Sequence, residues 1–458
     1  MRTVPPALLA LLLSLITVTG LLLTAVFAPQ AALALMPAAA ALLVAMLFYE
    51  APLIAIGLLV ACYGLALDLQ LDLLANTGGG SIGTLGAAVV KIIPFALAAM
   101  LSFRYGLATA INWPFLAFTL VAVASLVVLP IGRVSTFGEM TRSFIGSTAP
   151  FVLAFAAAPR PIWSAFCKAV VLVPLISAAV GLLAWPSGIY PAFDHNWRFQ
   201  GLHSPPFLAG FCVTAIFAAT LEYLRSFRTR WLALGGIALA ILLGTQARAP
   251  IIAVALFLLL VFALSDRRSF PLRRKLDLAI GGMVPALLLL GPLAYFALDR
   301  FLGGESYEQF SGRDVIWPYF LDAIEARPLF GYGLGAGKLI VNPDDPQIRL
   351  IRSSAAHNEY LRLSVDAGII GCALIFGAIA AWVWSGTRRV RPVDRLVLRS
   401  ALLAALLHSG FDNTLIASTA VIQFSWFAAA LARARLERAE SAPRAALRNA
   451  LARRAASV

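Results

Sequence analysis

The stretch WLALGGIALAILLGTQARAPIIAVALFLLLVFALS, residues 231–265, decides the fold. It holds two apolar runs, 231–247 and 250–265, joined by a short turn that carries a single charge, Arg248. The runs are continuous, without the alternation of a half-buried strand, so each reads as a membrane helix and not as part of a barrel. Backbone amides in lipid must be satisfied within their own segment, which a helix achieves. Outward from this pair, similar runs recur at 6–28, 31–48, 51–67, 82–102, 114–131, 144–157, 163–185, 206–224, 277–298, 368–386, 398–411 and 414–433. The pattern predicts an all-α polytopic membrane protein of about 12–14 transmembrane helices, because some runs are short enough to be paired half-helices.

Composition agrees. Of the 458 residues, 61% are hydrophobic and 13% charged, with a mean hydropathy of +0.87, which excludes a soluble domain. A net charge of +14 raises nucleic acid as a partner, but the placement of the arginines argues against it. They gather in short linkers, at Arg225, Arg228 and Arg230, at Arg267 to Lys275, at Arg388 to Arg395, and along a tail from Arg433 to Arg454. Such clusters follow the positive-inside rule and put those segments, and with an even helix count both termini, on the cytoplasmic side. The first apolar run, 6–28, is longer than a signal-peptide core and reads as a retained helix. Cys62, Cys167, Cys212 and Cys372 all fall in apolar runs, with no disulfide or zinc-like spacing.

This threading divides the chain into N-terminal helices 1–185, central helices 186–298 with an external loop at 186–205, a large external loop 299–367, C-terminal helices 368–433 and a basic tail 434–458. A connection as long as 299–367 is ordinarily functional or disordered, and this one has packing residues. Val315, Ile316, Tyr319, Ile324 and Leu329 punctuate GRDVIWPYFLDAIEARPLF, which reads as a short surface helix, and the following GYGLGAG reads as a turn. That glycine run lacks the Lys-Ser/Thr of a P-loop.

The polar residues of the external side carry any chemistry. His357 opens the helix after the long loop, with Leu361, Val365 and Gly368 following on about one helical face. An imidazole accepts protons near neutral pH. Arg198, Arg248, Arg313, Arg349 and Arg352 supply cations nearby. Arg248 departs from the positive-inside pattern, and an arginine near membrane depth needs a partner; a guanidinium grips phosphate bidentately. Asn358 and His203 are further candidates, with Arg352, for positioning an acceptor or the loop. His408 and Asp412, at i and i+4, form a pair as compatible with structure as with function. Lys91 stands inside span 82–102, while Lys168 and Glu222 read as snorkelling near helix ends. No Asp-x-Asp stands on the external side, so metal-free chemistry without a cofactor is expected.

Taken together, HNEYLRLSVDAGIIG (357–371), GRDVIWPYFLDAIEARPLFGYGLGAG (312–337), RFQGLHSPPFLAG (198–210) and TQARAP (245–250) resemble the O-antigen ligase and polymerase superfamily. The resemblance covers roughly 195–430 and departs from the family where TQAR replaces Ser-Arg and HSPPFLAG replaces a Pro-Asn form. It implies a metal-independent, inner-membrane glycosyltransferase of C-type architecture with a periplasmic site. Its donor would be an undecaprenyl-diphosphate-linked glycan. Its acceptor would be lipid A-core for a ligase, or a second lipid-linked glycan for an O-antigen or exopolysaccharide polymerase. On this resemblance His357 and Arg248 are catalytic, and Arg198, Arg248 and Arg313 bind the diphosphate. A lipid-linked sugar transporter is the alternative from another class; it calls for polar groups along a midplane path, of which Lys91 is the main instance. A non-catalytic scaffold is the third.

Overall fold

The computed structural model describes residues 45–74, 80–128, 135–188, 190–265, 270–272, 275, 312–351 and 353–456. The runs read at 6–28 and 277–298, most of 31–48, and Arg352 lie outside the described residues. In chain order the helices are α1 (Pro52–Gly64), α2 (Leu67–Leu74), α3 (Gly80–Tyr105), α4 (Trp113–Val128), α5 (Phe137–Thr148), α6 (Arg160–Ala169), α7 (Leu172–Ala184), α8 (Pro205–Ser226), α9 (Thr229–Gly244) and α10 (Arg248–Leu264). They continue as α11 (Arg313–Ala326), α12 (Pro346–Ile351), α13 (Glu359–Gly386), α14 (Pro392–Ser409) and α15 (Ser418–Ala456). Among the described residues there is no strand, only two isolated bridges. The chain is an all-α membrane protein.

Three described segments are long and apolar enough to cross a membrane: Arg160–Ala184, Pro205–Ser226 and Glu359–Gly386. Helix α8 is the axis of the bundle. Up to Glu222 it is mostly apolar, as a helix with neighbours on every side must be, and 89% of its most apolar window is buried. At about 1.5 Å per residue it spans roughly 33 Å. Its Phe217 ring meets Phe257 of α10 at 4.4 Å and Trp426 of α15 at 6.1 Å, which ties three elements into one core. Lys91 falls within α3, its side chain outside the described residues.

Glu222 does not snorkel. It is buried in α8 and paired with Arg433 of α15, while the neighbouring Arg225 pairs with Glu437 and, at 2.6 Å, with Asp394 of α14. A carboxylate can stay at that depth because a distant helix delivers its counter-ion; removing one partner of such a pair costs several kcal/mol, on the order of 3–5. Lys168 is exposed, in keeping with its reading as an interfacial lysine.

The segment Glu359–Gly386 is not one straight helix. Gly368 has φ 69° and ψ 178°, and beyond it the chain folds back, so that the Tyr360 ring lies 4.2 Å from Phe376. A straight helix would hold those residues about 24 Å apart. The shared face of Leu361 and Val365 therefore ends at Gly368, where the break exposes backbone groups. The glycine loop satisfies them. Tyr332 N donates to Val365 O at 2.8 Å, Gly333 N to Asp366 O at 2.9 Å and Ile369 N to Pro328 O at 2.8 Å, while Gly337 N donates to the Asp366 carboxylate at 2.7 Å. A Cβ on Gly331 would collide with Val365 O, so glycine is required for this approach.

Helix α11 packs over the same region through Ile316 and Phe320, both buried, with Val315, Tyr319 and Ile324 around them and Val365 beneath. Leu329 is not a packing residue. Its side chain is 56% exposed, because residues 328–330 engage α13 through their backbone.

Candidate active site

The turn between α9 and α10 carries Arg248, and the segment before α8 is stitched to it. Phe199 N donates to Gly244 O at 2.8 Å and Arg198 Nε to Thr245 O at 3.1 Å. Asp194 shapes that segment by accepting from the backbone of Asn196 and Arg198, each at 2.9 Å, and stands 4.0 Å from Arg198 Nη1. Arg198 is thereby held beside the turn of Arg248. Arg248 is the first residue of α10, so its charge adds to the positive end of the helix dipole. Both make this corner attractive to an anion.

Arg313 connects that corner to the α14–α15 turn. It opens α11 behind Gly312, whose φ of 72° turns the chain, and its Nη2 donates to Phe411 O at 2.7 Å. Its Nε is buried without a hydrogen-bond partner among the described residues. Burial pushes the guanidinium below its usual range, Asp412 opposes that, and the like charge of Arg248 adds to it.

Across from Arg313, Asp412 sits between two imidazoles. Its Oδ1 is 3.7 Å from His357 Nδ1 and its Oδ2 3.8 Å from His408 Nε2. Burial alone would raise the Asp412 carboxyl; the contact with His357 and the neighbouring imidazole charges outweigh it and hold the group below the ordinary carboxylate range. His357 is 36% exposed, open enough to reach a substrate. Its φ of 45° is unusual for a residue with a side chain, and its neighbours hold it there. Trp317 Nε1 of α11 donates to Ala356 O at 2.9 Å, and Asn358 caps α13 by accepting from Tyr360 N and Leu361 N at 3.0 and 3.2 Å. Ser353 Oγ lies 3.1 Å from His357 Nε2.

Beneath His357 a second charged group is fully buried. Arg362 pairs with Glu359 and, at 2.8 Å, with Asp366, the residue that also anchors the glycine loop. Lys338, on that loop, is pushed below its usual range by burial and by Arg362, with Asp366 and Glu359 opposing.

Of the residues singled out in the sequence, Arg248, Arg313 and His357 therefore share one neighbourhood, with Arg198 at its edge and Asn358 as the cap that orients His357. Arg349 lies away from it, exposed and paired with Asp344 at 2.8 Å. His203 has a setting of its own. It is buried, with Nδ1 2.9 Å from Ser177 Oγ and its ring 4.9 Å from Phe211. Burial pushes its imidazole down to about 4, against the opposing charge of Asp68, so it is neutral and held between helices. The sequence reading missed the tie from Asp412 to His357, which no local spacing announces. It also missed the Glu359–Arg362–Asp366 group, whose i−3 and i+4 spacing around a single arginine was a legible signal. Among the described residues no group of three or more His, Cys, Asp or Glu is placed to hold a metal ion.

These features define a class: an all-α membrane protein with arginines and a His–Asp pair gathered where a long, docked loop meets the helix ends. Residues 233–376 match a family model described as O-Antigen ligase, and over that segment the chain is similar to the O-antigen ligase superfamily. The matched segment contains Arg248, Arg313 and His357, while Arg198, His408 and Asp412 lie outside it. No curated protein matches the sequence.

Proposed function

We propose that the chain transfers a glycan from an undecaprenyl-diphosphate carrier to an acceptor hydroxyl, with inversion, at the periplasmic face of an inner membrane, and that the acceptor is lipid A-core. The observation that carries the reading is the approach of Arg248 and Arg313 to an Asp412–His357 pair within an O-antigen ligase match. In the reaction the acceptor oxygen forms a bond to the anomeric carbon as the bond from that carbon to the phosphate oxygen breaks. The electron pair leaves with the diphosphate. Arg248, Arg313 and Arg198 would neutralise the charge that develops there, the electrostatic contribution that commonly dominates such catalysis. With Asp412 facing Nδ1, the imidazole keeps its proton on that nitrogen and offers Nε2 to the acceptor hydroxyl. Ser353 Oγ, at 3.1 Å from Nε2, has the distance an attacking hydroxyl would take.

A polymerase would use the same residues on a different acceptor. The test is product analysis with purified protein, an undecaprenyl-diphosphate oligosaccharide, and lipid A-core. A glycosylated lipid A-core supports the ligase reading. Extension of the donor into longer lipid-linked chains replaces it with the polymerase reading. No product from folded protein with both acceptors present contradicts glycosyl transfer.

A further inference from the structure

At the C-terminal end of α13, against the middle of α15, a cavity of about 510 Å³ opens between residues 385–390 and 435–439. Arg388, Arg389, Arg435 and Arg438 line it, together with Gly386, and no carboxylate does. The acids closest in sequence are turned elsewhere. Asp394 binds Arg225 at 2.6 Å, Glu440 binds Arg160 at 3.0 Å, and Glu437 is shared among Arg225, Arg160 and Arg391. Arg388, Arg389 and Arg438 are exposed, as on any solvated basic face, but Arg435 is half-buried. Gly386 makes room for it, since a Cβ there would stand 2.8 Å from Arg435 Nη2. Four like charges around one cavity repel one another, and an anion with several oxygens reverses that cost.

The level of the cavity narrows the choice of anion. Trp384 is 45% exposed and lies 3.9 Å under the Arg399 guanidinium. Tryptophan capped by a cation favours the headgroup layer of a membrane. Helix α14 leads from Pro392, which follows the 385–390 turn, to Ser409, three residues before Asp412 and its partner His357, and spans about 27 Å, close to the thickness of a hydrocarbon core. The cavity and His357 then belong to opposite membrane faces.

We propose that this cavity binds the phosphate group of an anionic phospholipid headgroup. Inorganic phosphate presents the same chemistry without the acyl chains. The experiment is native mass spectrometry and thermal unfolding of the full chain in neutral detergent. Short-chain phosphatidylglycerol, short-chain phosphatidylcholine and inorganic phosphate are titrated separately. Phosphatidylglycerol is expected to remain bound and raise the unfolding temperature, and phosphatidylcholine to do neither. Arg435→Gln with Arg438→Gln is expected to weaken phosphatidylglycerol binding about 25-fold, roughly fivefold for each arginine. Arg388→Gln with Arg389→Gln, at exposed positions where folding is not at stake, is expected to weaken it as much. Arginine-dependent binding of inorganic phosphate without retention of phosphatidylglycerol would keep the phosphate site and overturn the lipid source. Phosphatidylglycerol binding at wild-type strength in both double variants would overturn the site itself.

Discussion

Replacing Asp412 by asparagine keeps the shape of the side chain and removes the carboxylate that faces both imidazoles. If His357 takes the acceptor proton, positive charge grows on its ring in the transition state, 3.7 Å from Asp412. At an effective dielectric constant of about 20, unit charges at that distance attract by about 4 kcal/mol. A half-developed charge feels about half of that, or ~2 kcal/mol, which corresponds to roughly a 30-fold change in rate. Initial rates of glycan transfer at saturating donor should therefore fall about 30-fold in Asp412→Asn. The donor KM should change by less than about threefold, because Arg248 and Arg313 are untouched. Wild-type kcat in a folded Asp412→Asn protein, or a loss confined to KM, would refute the role of the pair.

Other outcomes follow from the same geometry. Arg313→Lys keeps the charge but gives up the guanidinium that bonds Phe411 O at 2.7 Å; the donor KM should rise about tenfold, measured in the same assay. Arg362→Met leaves Glu359 and Asp366 buried without their cation and should cost about 3–5 kcal/mol. A triple change with Glu359→Gln and Asp366→Asn should recover most of it in a thermal unfolding experiment. Gly368→Ala places a Cβ against Leu329 O at a φ of 69° and should lower the unfolding temperature and hasten proteolysis within 328–337. Acid unfolding tests the sign of the Asp412 shift. A carboxyl held low when folded contributes stability that is fully present above its unfolded value near 4 and lost as the pH falls below it. Asp412→Asn should therefore lose less stability than wild type between about pH 4 and more acid values.

The helical plan was legible because apolar runs and arginine clusters are local signals. The runs at 206–224, 231–247 and 250–265 correspond closely to α8, α9 and α10. Arg248 stood out because it breaks the positive-inside pattern between two apolar runs, and His357 because it opens the helix that follows the long loop. The fold of α13 at Gly368 was not legible, since a glycine in a membrane helix is usually a packing residue and only the docked loop makes its φ of 69° affordable. Glu222 was misread as snorkelling for a similar reason: its partner Arg433 is delivered by a helix packed from far along the chain. The Asp412–His357 pair depends on the α14–α15 turn meeting the end of the long loop, a juxtaposition that tertiary packing creates.

The most direct test of the account compares wild type with His357→Ala and Arg248→Ala in a reconstituted transfer assay with undecaprenyl-diphosphate oligosaccharide and lipid A-core. Folding of each variant would be verified by its unfolding temperature. Loss of about 10²–10⁴-fold in kcat for His357→Ala and about 10²–10³-fold for Arg248→Ala is the predicted result. Transfer at wild-type rate by either folded variant would contradict the assignment of this site as the place where the glycan changes hands.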